Sequence, residues 1–454
     1  MAVHPIDFEF NQDVFSTPEL RKIFDEKAVV QRWLDFEAAL AEVQAENGII
    51  PREAAAEIRK KATLDCLDPD MISTGYQKSR NSLIPVIKAL RAACQADAGQ
   101  FVHYGPTTQD VLDTAQVLAL RQALGIIVRD LEDAEGYCLE LAYRYKDTSM
   151  VGRTHGQQAL PITFGLKVAV WLKEIRSHIE RLKHLFSSLR FGQFGGAVGT
   201  LASLGPQGIE IARKTLERLG LDYHPLAWHT RRDSMAEMAT SLSMLTATLC
   251  KMANEIYQLQ KTEVGELREP PPKGQPASST MPHKQNPVIC QRVAAIFQHV
   301  NALAHVVVEG MCHEHERDPR CLWSEWLAMP QLCIYSGAAV SYIKAVLSGL
   351  EVDVERMRFN LDTAGGFIVA EWLLFRLAEE LGKMDAMEKV SELVAIAKER
   401  QRGLKEVVLE DPTMARVFTE GDLDILDRPE LYVGNARQII ALTIEETKKA
   451  RALD

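Results

Sequence analysis

Along most of the chain apolar residues return at three- and four-residue steps, the period of one helical face, while alternating runs of strand length are scarce. The clearest stripe lies in residues 234–267, where Met235, Met238, Leu242, Leu245, Leu249, Met252, Ile256 and Leu259 keep that spacing. It predicts a helix of about 50 Å at a rise of about 1.5 Å per residue. Helices this long bury their stripe against neighbours in a bundle. The same reading predicts four more long helices, over residues 110–145, 161–189, 287 to about 314, and about 323 to 350. Thr107 and Thr108 form an N-cap pair for the first of these, and Pro287 takes the favoured first helical position. Shorter helices are expected on both flanks. The predicted fold class is all-α, with an N-terminal helical domain over 1–106, a central long-helix bundle over 107–350 and a C-terminal helical domain over 351–454.

The composition is that of an ordinary globular chain: 454 residues, 46% hydrophobic and 25% charged, which excludes collagen-like and disordered classes. Lys and Arg number 52 against 62 Asp and Glu, a net charge of −10 that offers a nucleic-acid backbone no global attraction. No uninterrupted apolar run approaches the roughly 18 residues that span a bilayer, so no membrane partner is expected. The first residues, MAVHPIDFEFNQD, lack the basic lead and apolar core of a signal peptide. Eight scattered cysteines with no CxxC pair predict buried thiols in a reducing compartment, hence a cytoplasmic protein.

Unusual chemistry gathers in the loops between the predicted long helices: residues 103–110, 152–158, 192–199 and 273–287. The segment PPPKGQPASSTMPHKQNP, residues 270–287, is too rich in proline for regular structure, and a loop of that length is usually functional or disordered. It carries Ser278, Ser279, His283, Lys284 and Asn286 beside the amino end of a predicted helix. There Lys284 and the helix dipole would favour an anionic substrate or a serine alkoxide. His313 and His315, in HEHERD, have the side chains of metal ligands, but an i, i+2 pair points to different faces of a helix and no third ligand is near in sequence. No metal is expected. Gly192, Gly195, Gly196 and Gly199 lack the spacing of a dinucleotide fingerprint, so they predict a tight turn or close helix approach and no cofactor.

The run Ser278-Ser279-Thr280-Met281-Pro282-His283-Lys284-Gln285-Asn286-Pro287 resembles the signature of the fumarase/aspartase superfamily, departing from it at Ala277, where the pattern has glycine. Thr107-Thr108-Gln109-Asp110 and Arg153-Thr154-His155-Gly156-Gln157 resemble the superfamily's other two regions, in order. Weaker similarity to the 3-carboxy-cis,cis-muconate cycloisomerase and adenylosuccinate lyase branch runs the full length. The resemblance implies a homotetramer whose central helices form a twenty-helix core, with active sites shared between subunits. It also implies anti β-elimination on a small dicarboxylate, with no cofactor. Ser278 would be the general base and His155 would handle the leaving group's proton. Asn81, Ser82, Thr107, Thr108, Gln109, Thr154, Gln157, Lys284, Asn286 and Arg317 would bind substrate.

Within that branch, three positions resemble adenylosuccinate lyases poorly. Asn81 stands where those enzymes have a second catalytic histidine, Trp326 where they have a phosphate-binding arginine, and Ser16-Thr17-Pro18-Glu19 lacks their arginine. A nucleotide would lose its phosphate contacts. Asn81-Ser82, Trp228-His229-Thr230 and Glu325-Trp326 fit the cycloisomerases, yet bacterial cycloisomerases carry a tryptophan at the position of His155. Lactonisation needs no acid for a departing amine, whereas C–N cleavage does. The expected function is therefore release of fumarate from an N-substituted aspartate or related succinyl compound, and the alternative is a lactonising cycloisomerase. A catalytically silent structural oligomer fits poorly, because Ser278, Lys284, Asn286 and His155 are all present.

Overall fold

The computed structural model describes residues 4–271, 281 and 283–453. Its helices dominate, and the long ones are Thr108–Arg144, Phe164–Ser188, Asp233–Gln260, Val288–Glu309 and Pro319–Gly349. The stripe that predicted the third of these is its buried face: all eight residues from Met235 to Leu259 are 2% exposed or less. Burying such side chains contributes about 1.5–3 kcal/mol each, which is why the period is so well kept. Two of the helices, Thr108–Arg144 and Pro319–Gly349, are long and apolar enough on composition to cross a bilayer, but 67% of each apolar window is buried inside the protein.

The chain forms two compact units. One comprises Met1–Leu131, His178–Cys250 and Arg292–Tyr342; the other comprises Glu132–Ser177, Lys251–Gln291 and Ile343–Asp454. In the first unit the helix Glu26–Glu46 packs a long buried face that includes Trp33, Leu34, Phe36 and Leu40. In the second, helices from residue 354 onward gather Leu361, Leu373, Leu377, Leu393 and Val408 into a core that also takes Val151.

Several boundaries differ from the sequence expectation. The strands Ser149–Thr154 and Gln157–Thr163 pair as an antiparallel hairpin where a loop and the start of a helix were expected. Pro161 explains the shift, since the residue before a proline is driven out of the helical region. The helix starts instead at Phe164, with the Thr163 hydroxyl accepting the Leu166 amide at 3.2 Å. The helix predicted to reach residue 267 stops at Gln260. Gly265, at φ +66°, then turns the chain so that Leu267–Arg268 pairs with Glu351–Val352. The helix expected to reach about residue 314 ends at Glu309, just before Gly310. His313 and His315 therefore lie in the connection to the next helix, not on a helix. The cysteine expectation also needs correction, because only Cys138, Cys290 and Cys333 are buried, with their thiols pushed up by desolvation, and Cys66 and Cys312 are exposed.

Candidate active site

In the first unit three separate segments meet. The helix Pro69–Ser79 ends on Arg80, which sits in the left-handed region at φ 50°, and the turn delivers Asn81 and Ser82. Asn81 Oδ1 accepts the amides of Leu83 and Ile84 at 3.0 and 2.9 Å, capping the next helix and leaving its Nδ2 donors uncommitted among the described residues. Thr107, Thr108 and Gln109 form the amino end of the helix Thr108–Arg144. Arg317 comes from the turn before Pro319–Gly349, and its Nη1 donates to the Thr107 hydroxyl.

These six residues, Asn81, Ser82, Thr107, Thr108, Gln109 and Arg317, line one cavity of about 390 Å³ together with Arg80 and Trp326. Among the described residues no carboxylate lines it, and it holds two guanidinium-bearing residues, two threonines and a helix amino end. That is an electropositive cup for an anion. Trp326 lies in its wall and gives it an aromatic surface. Thr17, in the other departing segment, serves its own helix, since its hydroxyl accepts the Leu20 amide and caps Pro18–Phe24.

Behind the cup lies a buried polar network that the sequence did not reveal. Asp110 is fully buried and accepts from the amides of Thr107, Gly195 and Gly196 at 2.9, 3.0 and 2.9 Å, with His229 Nε2 at 2.8 Å. This single carboxylate ties the helix start to the glycine loop. Gly195 is required there because a Cβ would meet Ala227 Cβ at 2.6 Å, and Gly196 has φ +70°. The expectation of a tight turn is thus met, with Asp110 as its reason. Gln109 Nε2 donates to Asp113 Oδ2 at 3.1 Å and to the His229 carbonyl at 3.0 Å, while its Oε1 is buried with no partner among the described residues.

Arg232 is fully buried and joins Asp113, at 2.9 and 3.1 Å, to Glu325, at 2.8 Å through Nε. Gln116 Nε2 also donates to Glu325, at 2.7 Å. The group carries two carboxylates and one guanidinium, a formal charge of −1. Burial accordingly raises the Asp113 carboxyl, with Glu325 adding to it and Arg232 opposing, and the two carboxylates hold Arg232 firmly protonated against desolvation. Burial and then Arg232 lower His313, whose ring nitrogens are both buried without a partner among the described residues. Nothing in the spacing of residues 113, 232 and 325 announces this network. Only the charge of three buried groups, seen together, does.

The second unit carries the other expected residues. The hairpin reverses through His155 and Gly156, both at positive φ, 53° and 75°, as a two-residue turn that twists with its strands. Positive φ at both central residues is what such a two-residue turn demands, and histidine is one of the side chains that tolerates it. Thr154, His155 and Gln157 are all exposed at this tip. Just below the turn, the hairpin is anchored by Arg153, which donates to the buried Glu266 at 3.0 and 2.7 Å, with Asn360 Nδ2 donating to the same carboxylate at 2.8 Å.

Lys284 is exposed and Asn286 half-buried, just before the helix Val288–Glu309. The amino end of that helix departs from expectation. Its Ile289 and Cys290 amides, predicted to attract a substrate anion, are taken by the Glu269 carboxylate at 2.9 Å each. Ser278, the expected base, lies outside the described residues, as does Ser279.

Known proteins resemble this chain in both sequence and fold. Residues 14–301 match the family described as Lyase, and residues 366–442 match the one described as Adenylosuccinate lyase C-terminus. A relative from Dickeya dadantii, named N-acetyl-S-(2-succino)cysteine lyase, is 40% identical over 438 residues, covering 96% of each chain. An adenylosuccinate lyase from Methanothermobacter thermautotrophicus is 36% identical over 99% of this chain and 100% of its own. The crystal structure of a 3-carboxy-cis,cis-muconate lactonizing enzyme from Pseudomonas putida superposes with a TM-score of 0.90 at 34% identity, covering 96% of this chain and 98% of that one.

Proposed function

The chain belongs to the lyase family of the fumarase/aspartase superfamily, and on that premise we propose that it releases fumarate from a small succinyl compound by anti β-elimination. The observation that carries this reading is the cup in the first unit, where Thr107, Thr108, Asn81, Ser82 and Arg317 converge with no carboxylate among the described residues of the wall. A dicarboxylate fits such a surface, and an adenine nucleotide finds Trp326 where its phosphate would need a cation.

In the reaction a proton passes from the carbon beside one carboxylate to Ser278. The C–N or C–S bond at the neighbouring carbon then breaks, and its electron pair leaves with the heteroatom. Charge spreads onto the carboxylate as the proton departs, and Lys284 and Asn286 hold it there. His155, presented on its rigid hairpin with Thr154 and Gln157, supplies the proton to the leaving group. The name of the Dickeya relative brings sulfur into the range of leaving atoms beside nitrogen. Four copies contributing five long helices each would make the twenty-helix core of a homotetramer, the assembly in which sites are shared between subunits. The division at residues 106/107 and 350/351 belongs to the same reading.

The role of His155 has a measurable consequence. An amine must be protonated to leave, whereas a thiol with a pKa of about 8.5 departs as its thiolate at modest cost. His155→Gln should lower kcat on an N-substituted aspartate by about 100-fold or more, and lower it much less on a matched succinyl thioether. Steady-state kinetics on the two substrates decide the point. Equal losses on both would remove His155 from proton transfer. A wild-type protein that turns over carboxymuconate to a lactone, and neither succinyl compound, would favour the cycloisomerase.

A further inference from the structure

A second cavity of about 340 Å³ adjoins the anion cup and shares Ser82, Leu112 and Trp326 with its wall. Its volume is that of a small-molecule site. The far wall is largely apolar, built by Phe24, Trp33, Leu120 and Met329. In this surface sits Arg32, only 8% exposed. Its one hydrogen bond among the described residues runs from Nη2 to the Ile23 carbonyl, leaving most of its five donors unmatched.

A guanidinium in that position calls for an anion. Burial lowers the pKa of Arg32, and the charges of Asp25 and Asp35 oppose the drop without closing an ion pair with it among the described residues. Asp25 is occupied as the cap of the helix Glu26–Glu46, accepting the Ala28 amide, and Asp35 accepts from Gln31. The other polar groups of the chamber are Tyr76, Ser82 and Gln116, and the Gln116 amide is already committed to Glu325. Leaving a buried cation without a partner is costly, and a carboxylate matches the planar fork of a guanidinium. A phosphate dianion would instead leave excess negative charge among aromatic walls.

We propose that this chamber receives the leaving group, and that Arg32 binds a carboxylate which the leaving group itself carries. The substrate class is then the succinyl conjugate of a small amine or thiol with its own carboxylate and an apolar arm, such as an acyl-capped amino acid. The inference rests on the elimination reading above: the succinyl carboxylates lie in the cup, and the departing group lies past Trp326.

The test compares two thioethers that differ in one group, N-acetyl-S-(2-succino)cysteine and the succinyl thioether of N-acetylcysteamine, which lacks that carboxylate. The wild-type protein should prefer the first by about 10- to 100-fold in kcat/KM, the range of a charge-assisted hydrogen-bonded pair. Arg32→Gln should bring the ratio of the two close to one, and Arg32→Lys should keep part of the preference. A loss of equal factor on both substrates in Arg32→Gln would make Arg32 merely structural and overturn the proposal. So would a wild-type protein that treats the two alike, a result that needs no variant to fold and leaves the elimination reading intact. If neither thioether nor any N-substituted aspartate is cleaved, the elimination reading itself fails, and this inference with it.

Discussion

Ser278→Ala is expected to lower kcat on a succinyl substrate by about 100- to 10,000-fold, the range for a lost general base, with KM nearly unchanged. A general base acts on the proton as it leaves, so in the proposed mechanism the loss belongs to the transition state and not to binding. A serine hydroxyl is a poor base until its pKa falls. Lowering it by about five units needs roughly 7 kcal/mol of preferential stabilisation of the alkoxide. In the proposed mechanism that stabilisation would fall to Lys284 and the nearby helix end. The Ile289 and Cys290 amides at the start of the helix Val288–Glu309 are engaged by Glu269. In the proposed mechanism the helix end therefore contributes less than the bare sequence suggests, and more of the stabilisation falls to Lys284. Lys284→Gln should accordingly lower kcat nearly as far as Ser278→Ala. Initial-rate kinetics on purified variants measure both, and a Ser278→Ala protein that behaves like the wild type would remove Ser278 from the chemistry.

The largest effect on stability is expected at Arg232. Replacing it with methionine keeps much of the side-chain volume but leaves Asp113 and Glu325 buried with no cation between them. Breaking a buried pair in this way costs about 3–5 kcal/mol. Its pH dependence has a definite sign. The Asp113 carboxyl is already raised by burial with Arg232 in place, and removing the guanidinium raises it further. A carboxyl that titrates higher when folded than when unfolded binds more protons in the folded state, so the variant should gain stability as pH falls toward that folded value. Denaturant melts of wild type and Arg232→Met at neutral and mildly acidic pH should show the gap between them shrinking on acidification. A gap that stays small at neutral pH would mean that the network is not what holds Gln109 and the helix start in place.

Much of this was legible in the sequence because the determinants were local. The stripe from Met235 to Leu259 needs only the helical period to be read, and its burial follows. Asn81, Ser82, Thr107, Thr108, Gln109 and Arg317 were singled out by resemblance, and they line one cavity. The misreadings came from forces that act across the chain. The 149–163 hairpin depends on strand pairing between segments whose spacing also suits a loop. Glu269 reaches an amino end some twenty residues later. Asp113, Arg232 and Glu325 are ordinary surface residue types by composition, and only their common burial makes them a network. Arg32 reads as a solvated helix charge until its exposure is known.

Product analysis of the purified protein with N-acetyl-S-(2-succino)cysteine tests the central claim most directly. The account predicts fumarate and N-acetylcysteine in equal amounts, with release abolished in Ser278→Ala. Absence of fumarate from this compound and from N-substituted aspartates, with lactone formed from carboxymuconate, would contradict it.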